Sequence, residues 1–266
     1  QERSVSTDRL VSGAMSFIKV HETLHGVLRY HTVNNKGYNY RPPGQGTIST
    51  PYNHDANTPV VVLVMHPTRQ TSICFNRIEC MSQGDTAPAS AQNVGQIFPP
   101  YKSAQYEIGA KYDIGRFSAA LAFYQISRPN SYNVPIEGTG YSVYKQDGLQ
   151  RNRGFELTVN GEILPGLRFN GGGTLIDADL RHTAGGLQNG NSAIGIPNYT
   201  INGNLEYDLP FLKGATVVGR VVNTGKQWVN TANNLHLSVC TRLDLPARYM
   251  FTSYHNTVTL SFRCAN

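Results

Sequence analysis

The chain has 266 residues, of which 15% are charged, against roughly a quarter in an average soluble domain. Its net charge of +6 comes from lysines and arginines scattered singly, without a basic block or basic helix, so we expect no nucleic-acid partner. The longest continuous apolar stretch, Val60 to Met65, is far shorter than the about 20 residues of a transmembrane helix. This excludes a helical membrane protein but not a membrane barrel, whose strands alternate between lipid and lumen.

The first part of the chain predicts four strands, near residues 10–18, 24–33, 58–66 and 71–81. Between the first two lies the sequence His21-Glu22-Thr23-Leu24-His25, which fits the pattern H-E-x-x-H, and His31 follows at the position of a third ligand. On a helix, His21 and His25 would share one face and bind zinc while Glu22 acted as general base. A zinc metalloprotease using residues 21–25 is therefore the alternative interpretation. A polar turn between two strands is the favoured one, because the residues after His25 are not clearly helical.

The four cysteines stand at positions 74, 80, 240 and 264 without C-x-x-C spacing, which argues against a zinc ribbon or a thioredoxin motif. On one strand Cys74 and Cys80 would lie about 20 Å apart, too far to bridge each other. We expect free thiols, with a bridge between Cys240 and Cys264 left open.

From residue 104 onward, short alternating runs are separated by turns. In one run, Phe155, Leu157 and Val159 point to one face while Glu156, Thr158 and Asn160 point to the other. Short turns at 113–116, 164–166 and 209–214 alternate with long polar links at 82–103, 128–149, 179–197 and 226–237. A barrel with tight turns on one side and long loops on the other produces this alternation. We count about twelve strands, and Pro246 weakens the one that contains it.

The sequence also carries a family resemblance. The segment 100–113, PYKSAQYEIGAKYD, resembles a strand of the TonB-dependent siderophore receptors, and further matches follow the family's order. These are SQGDTAP at 82–88, GLQRNRGFEL at 148–157, PGLR at 165–168, TAGG at 183–186, YDLP at 207–210 and TRLDL at 241–245. The resemblance implies an all-β fold, an antiparallel transmembrane β-barrel of which residues 1–266 form the C-terminal portion. It also implies that the N-terminal plug domain of the family is not present in the chain.

The same resemblance implies a function. Members of the family take up ferric siderophores across the outer membrane of Gram-negative bacteria, with energy from the TonB complex delivered through the plug. The expected partners are therefore a ferric siderophore, the TonB complex and outer-membrane lipid. We expect a receptor and transporter without enzymatic chemistry or cofactor, incomplete in this chain, and the sequence shows no nucleophile elbow, Walker loop or dinucleotide fingerprint.

Candidate ligand-binding residues are aromatic and arginine side chains of the outer loops and upper lumen. Aromatic faces and guanidinium groups suit an anionic iron chelate through stacking and charge. The candidates are Tyr101, Tyr132, Tyr141, Tyr144, Arg151 and Trp228. For each of them, a place in the aromatic girdle at the membrane interface is the alternative. Asp177 and Asp179, two residues apart on one strand, are expected to solvate the rim rather than form a catalytic pair.

Overall fold

The computed structural model describes residues 2–19, 21–39, 51–254 and 256–265, and most of this part of the chain is β-strand. The strands are β1 (Glu2–Lys19), β2 (Glu22–Asn39), β3 (Tyr52–Met65), β4 (Thr71–Ser82), β5 (Tyr101–Asp113), β6 (Phe117–Pro135), β7 (Ser142–Leu164), β8 (Leu167–Arg181), β9 (Tyr199–Asp208), β10 (Ala215–Thr224), β11 (Gln227–Trp228), β12 (His236–Leu237), β13 (Cys240–Ser253) and β14 (Asn256–Ala265). A 3-10 turn covers Ala184–Gly186. In these ranges no helix has the length and apolar character needed to cross a membrane.

Twelve strands form one antiparallel sheet in the order β1-β2-β3-β4-β5-β6-β7-β8-β9-β10-β13-β14, and β11 and β12 form a separate hairpin. Each strand pairs with its neighbours along the chain, so the sheet is a meander without crossovers. The predicted fold class, antiparallel β with about twelve strands, is confirmed.

The sheet has two chemically different faces. Cross-strand partners point to the same side, and Ile108, Phe123, Phe155 and Leu175 form one apolar row across β5, β6, β7 and β8. Phe123 and Phe155 pack edge to face with ring centroids 5.1 Å apart, yet Phe123 is still 54% exposed. We call this the apolar face. Its opposite, the polar face, carries rows such as Glu156, Thr174 and Thr200.

Several sequence-based boundaries need correction. The link expected at 128–149 is mostly strand, because β6 continues to Pro135 and β7 already begins at Ser142. The two strands pair along this extension, with a register shift between Asn130 and Tyr132. Beyond the membrane both faces of a strand can meet water, so a polar composition does not distinguish a strand extension from a loop. The other three long links and the short turns lie close to their predicted positions.

The metalloprotease alternative requires a helix at residues 21–25, and the structure places Glu22–Asn39 in strand β2. On a strand, His21 and His25 are about 13 Å apart, which is too far to share a zinc ion with bonds of roughly 2 Å. His25 is instead 2.7 Å from the hydroxyl of Ser16 on β1. In the described ranges no group of three metal-ligating side chains is gathered. The favoured interpretation, a turn between two strands, holds for His21 only, because Glu22 to His25 already belong to strand β2.

Cysteine and proline positions are explained by the register. All four cysteines are free, and Cys264 lies opposite Leu245, five residues from Cys240 on the same strand β13, so the bridge left open by the sequence does not form. Pro246 pairs with Arg263 of β14, while the ladder toward β10 is interrupted between Ala247 and Asp244. This interruption fits a residue that cannot donate a backbone hydrogen bond.

Candidate functional site

In the part of the chain that the structure describes, four long connections lie at one edge of the sheet, because every second connection of a meander is on the same side. They cover residues 83–100, 136–141, 182–198 and 225–239. The opposite edge carries short turns, such as 114–116 and 165–166. We call the first the loop edge and the second the turn edge. The loop edge holds most of the candidate ligand-binding residues.

The loop 83–100 is fastened to the sheet through Asp85. Its carboxylate accepts hydrogen bonds from the hydroxyl of Tyr101 on β5 at 2.5 Å and from that of Tyr144 on β7 at 2.7 Å. Ser131 of β6 bonds to Tyr101 beside them. The neighbouring Gly84 donates its backbone N–H to the hydroxyl of Tyr52 on β3. One turn of this loop is therefore tied to four strands.

The charge of Asp85 is stabilised at this position. Burial raises the pKa of this carboxyl group, but the hydrogen bonds from Tyr101, Tyr144 and Ser131 outweigh burial, and the pKa lies below its ordinary value. The carboxylate is therefore ionised at neutral pH and holds both phenol hydroxyls as donors.

A groove of about 440 Å³ separates the loop 83–100 from the start of β7. Tyr144 forms one wall and meets Phe98 edge to face, with ring centroids 5.8 Å apart. Asn93 donates to the backbone carbonyl of Tyr144, and Gln146 donates to that of Pro99, so both sides of the groove are hydrogen-bonded together. The exposed Lys145 and Asp147 put one positive and one negative charge on the rim. This volume is within the range of small-molecule sites.

The loops 182–198 and 225–239 are hydrogen-bonded to each other. Asn233, which has a left-handed backbone with φ of 54°, accepts from the N–H of Ser192 at 2.7 Å and donates to its carbonyl at 3.0 Å. Asn191 donates to the carbonyl of Thr231 at 2.7 Å, and the N–H of Gly195 donates to the carbonyl of Trp228. These bonds make the two loops one structural unit.

Arg151 belongs to the base of this unit. Its guanidinium makes two hydrogen bonds to Asp179, at 3.2 and 2.8 Å, and Arg181 bonds to the same carboxylate. Asp179 is 7% exposed. A buried carboxylate between two arginines is a structural ion triad, and it leaves less of the Arg151 charge available to a ligand.

Trp228 is at the centre of a cationic and aromatic cluster in the hairpin of β11 and β12. The Nζ atom of Lys226 lies 4.1 Å from the centroid of the Trp228 ring, and His236 packs edge to face on the other strand at 5.5 Å. A cation over an indole face is attracted by the ring quadrupole. The cluster presents a positive charge and an aromatic surface at the loop edge.

The six sequence candidates thus fall into separate places. Tyr101 and Tyr144 meet on Asp85, Tyr132 bonds to Asp147, and Tyr141 is 64% exposed in the loop 136–141. Arg151 and Trp228 belong to the other loop unit. Sequence reasoning missed Asp85 and Lys226. Asp85 could have been found from its place in the SQGDTAP segment. Lys226 could have been found from its position two residues before the candidate Trp228.

A family model described as "TonB dependent receptor-like, beta-barrel" matches residues 20–266. The chain belongs to this family. The match covers the two-faced sheet from β2 to β14, without β1, and the four loops. Membership of this family explains the exposed apolar face, because the apolar face of a membrane barrel is the surface in contact with lipid.

Similar proteins support the assignment. The chain is 38% identical to the ferrichrome receptor FcuA of Yersinia enterocolitica over 207 residues, which are 76% of this chain and 27% of that protein. It is 27% identical to the metal-pseudopaline receptor CntO of Pseudomonas aeruginosa over 164 residues, 60% of this chain and 23% of that protein. The chain spans about a quarter of the length of these relatives.

Among solved structures, the fold is similar to BauA, the ferric preacinetobactin receptor from Acinetobacter baumannii, with a TM-score of 0.83 and 31% identity. The alignment covers 100% of this chain and 39% of BauA.

Proposed function

We propose that this chain is part of an outer-membrane receptor of a Gram-negative bacterium that binds ferric siderophores at its loop edge and takes them up. The family assignment supports this proposal, together with relatives named as ferrichrome, metal-pseudopaline and ferric preacinetobactin receptors. The observation that carries it is the two-faced sheet, which combines an exposed apolar face for lipid with loops gathered at one edge.

The proposed binding surface lies between the two loop units. Tyr144 and Lys145 line the groove on one side, and Trp228 with Lys226 forms the cluster on the other. Tyr141, Tyr132, Tyr101 and Arg151 remain proposed members of this surface. Aromatic rings stack on flat ligands and cations attract anionic ones, so the surface suits an iron chelate held without covalent chemistry.

The family's dependence on TonB leads us to propose that uptake by the whole receptor draws energy from the TonB complex. The loop edge then faces the outside of the cell, and the turn edge faces the periplasm. Outer-membrane lipid covers the apolar face.

The only tryptophan of the sequence, Trp228, is a built-in reporter of binding. Titration of the detergent-folded chain with ferrichrome should quench the Trp228 fluorescence in a saturable manner, because a ferric chelate near the indole absorbs its emission energy. Iron-free ferrichrome and free tryptophan in the same detergent serve as controls. A linear response equal to that of free tryptophan would contradict binding at this surface.

A further inference from the structure

A groove of about 370 Å³ lies on the apolar face of the sheet, across strands β7, β8 and β9. The three strands are in the interior of the sheet, with paired neighbours on both sides. We call this depression the β8 groove. The side chains around it are all apolar: Phe155, Leu157, Val159, Phe169, Leu175 and Ile201.

Two glycines of β8 form the floor of the β8 groove. Gly171 and Gly173 are the register partners of Val159 and Leu157, so a side chain at either position would point to the apolar face. The ring of Phe169 leans over Gly171, where an added Cβ atom would stand 2.7 Å from it, and closes the end nearer the turn edge. An added Cβ atom at Gly173 would meet no atom closer than 3.5 Å. The open space therefore lies above Gly173.

A row of charged residues shows the depth of the β8 groove in the membrane. Arg153 and Asp177 are register partners, two residues beyond Phe155 and Leu175 toward the loop edge, and both are exposed. Charged side chains on the outer surface of a barrel mark the end of its apolar band. The groove lies on the apolar side of this row, so it meets lipid hydrocarbon. It is also on the side of the sheet away from the lumen, where no domain inside the barrel can cover it.

The width of the β8 groove determines what can fill it. The backbones of β7 and β9 are two strand spacings apart, about 10 Å, and the side chains of Leu157 and Ile201 narrow this span. A helix, about 10–12 Å wide with its side chains, cannot reach the glycine floor, whereas a single hydrocarbon chain can.

Van der Waals contact provides the preference for the groove. Lipid tails are as apolar as leucine, so moving a chain from lipid to an apolar protein surface gives no hydrophobic gain. A chain in the β8 groove contacts protein atoms below it and on both sides, whereas a chain on the flat part of the face contacts protein on one side. Many small contacts add up to a favourable energy.

We propose that the β8 groove holds an acyl chain of a membrane lipid at a fixed place on the barrel surface. The inference rests on the proposed function in one respect, the contact of the apolar face with lipid. It adds that the shape of the groove selects this place over the rest of the apolar face. Gly173 keeps the groove open.

A lipid that labels its neighbours tests this. The chain is folded into phosphatidylcholine vesicles containing phosphatidylcholine with a photoactivatable diazirine midway along one acyl chain. After irradiation, trypsin releases peptide 169–181 from the groove and peptide 103–111 from the apolar face of β5. Gly173→Leu should lower the labelling of peptide 169–181 severalfold and leave peptide 103–111 unchanged. The control is Ala110→Leu, which adds the same side chain in the same cross-strand row outside the groove.

Loss of groove labelling in Gly173→Leu, with retention in Ala110→Leu, supports the proposal. Label in both peptides of the wild type that Gly173→Leu leaves unchanged, or that both variants lower equally, would overturn the groove while leaving the lipid contact of the apolar face in place. No label in either peptide would overturn both. Circular dichroism establishes folding for each variant. If Gly173→Leu does not fold, Gly173→Ala decides, and unchanged labelling of peptide 169–181 in that variant overturns the proposal.

Discussion

Asp85 shows how one side chain can order a whole loop. Three hydroxyl-bearing residues from three strands converge on its carboxylate, and the adjacent Gly84 is fixed by Tyr52. Tyr101 and Tyr144 are therefore held in place before any ligand arrives. Their rings remain available for packing, whereas their hydroxyls are engaged. In the proposed receptor, this arrangement shapes the groove beside Tyr144.

Asp85→Asn should loosen the loop 83–100, because an amide replaces the charged acceptor of both phenols. Lost hydrogen bonds to a charged group cost about 1–3 kcal/mol, so hydrogen exchange in residues 83–100 should accelerate about tenfold or more. Glu137→Gln, an equal charge change at an exposed residue of the loop 136–141, is the matched control. Equal exchange in both variants would show that Asp85 does not hold the loop.

The lowered pKa of Asp85 also gives a pH dependence. A carboxyl group whose pKa is lower in the folded state stabilises that state above its unfolded pKa, about 3.9 for aspartate. The stabilisation is lost as the pH falls through the lower, folded value. Hydrogen exchange of residues 83–100 in wild-type protein, corrected for intrinsic rates, should therefore be constant from pH 7 to about 5 and rise below about 4. A rise already near pH 6 would contradict this assignment.

At the scale of single strands, glycines mark where backbones come close. A Cβ atom at Gly172 in β8 would stand 2.3 Å from the backbone carbonyl oxygen of Leu157 in β7. Backbone atoms in a ladder cannot move aside without breaking their hydrogen bonds. By contrast, a Cβ atom at Gly219 in β10 meets nothing within 4 Å.

Gly172→Ala should therefore lower the free energy of unfolding by about 2 kcal/mol or more, as expected for steric strain in a packed element. Gly219→Ala, at a site with room for the methyl group, should change it by less than about 1 kcal/mol. Urea titration of the two detergent-folded variants, followed by circular dichroism, measures both. Similar stability of the two variants would contradict the close approach of β7 and β8.

At the scale of the whole molecule, the apolar face stands out. Its exposed large hydrophobic side chains run across the sheet, for example Phe17 on β1, Phe75 on β4, Leu157 on β7 and Phe262 on β14. A soluble protein seldom exposes an apolar patch this wide, while a membrane barrel requires one. Strands β1 and β14 are the edges of the described sheet, and an edge in lipid leaves backbone groups unpaired. We therefore expect both edges to pair with further strands in the membrane.

Neighbouring residues of β7 test the membrane orientation. Leu157→Arg puts a charge on the apolar face and should cost about 2–4 kcal/mol if the residue lies near the bilayer midplane. Thr158→Arg puts the same charge on the polar face and should cost less than about 1 kcal/mol. Folding into lipid vesicles under urea titration compares the two. Equal costs would mean that the apolar face is not in contact with lipid.

The sequence by itself determined the fold class, the two faces and most turns. The alternation of Phe155, Leu157 and Val159 with polar neighbours is a local property, since a strand places successive side chains on opposite faces. The segment 128–149 was wrongly predicted as a loop. Both faces of this strand extension meet water, so its sequence lacks the alternation of apolar and polar residues that predicts a strand. Its strand character comes from the pairing of β6 with β7.

Only the tertiary structure decided which residues meet. Asp85, Tyr101 and Tyr144 are up to 59 positions apart, and no local pattern predicts that a loop carboxylate reaches two strands. The same holds for His236 against Trp228, which the β11–β12 hairpin brings together. The alternation of side chains along a strand depends only on neighbouring residues. Contacts between loops and across strands depend on the pairing register of the strands and on the path of the chain through the loops. That is why the fold could be read from the sequence and the geometry of the sites could not.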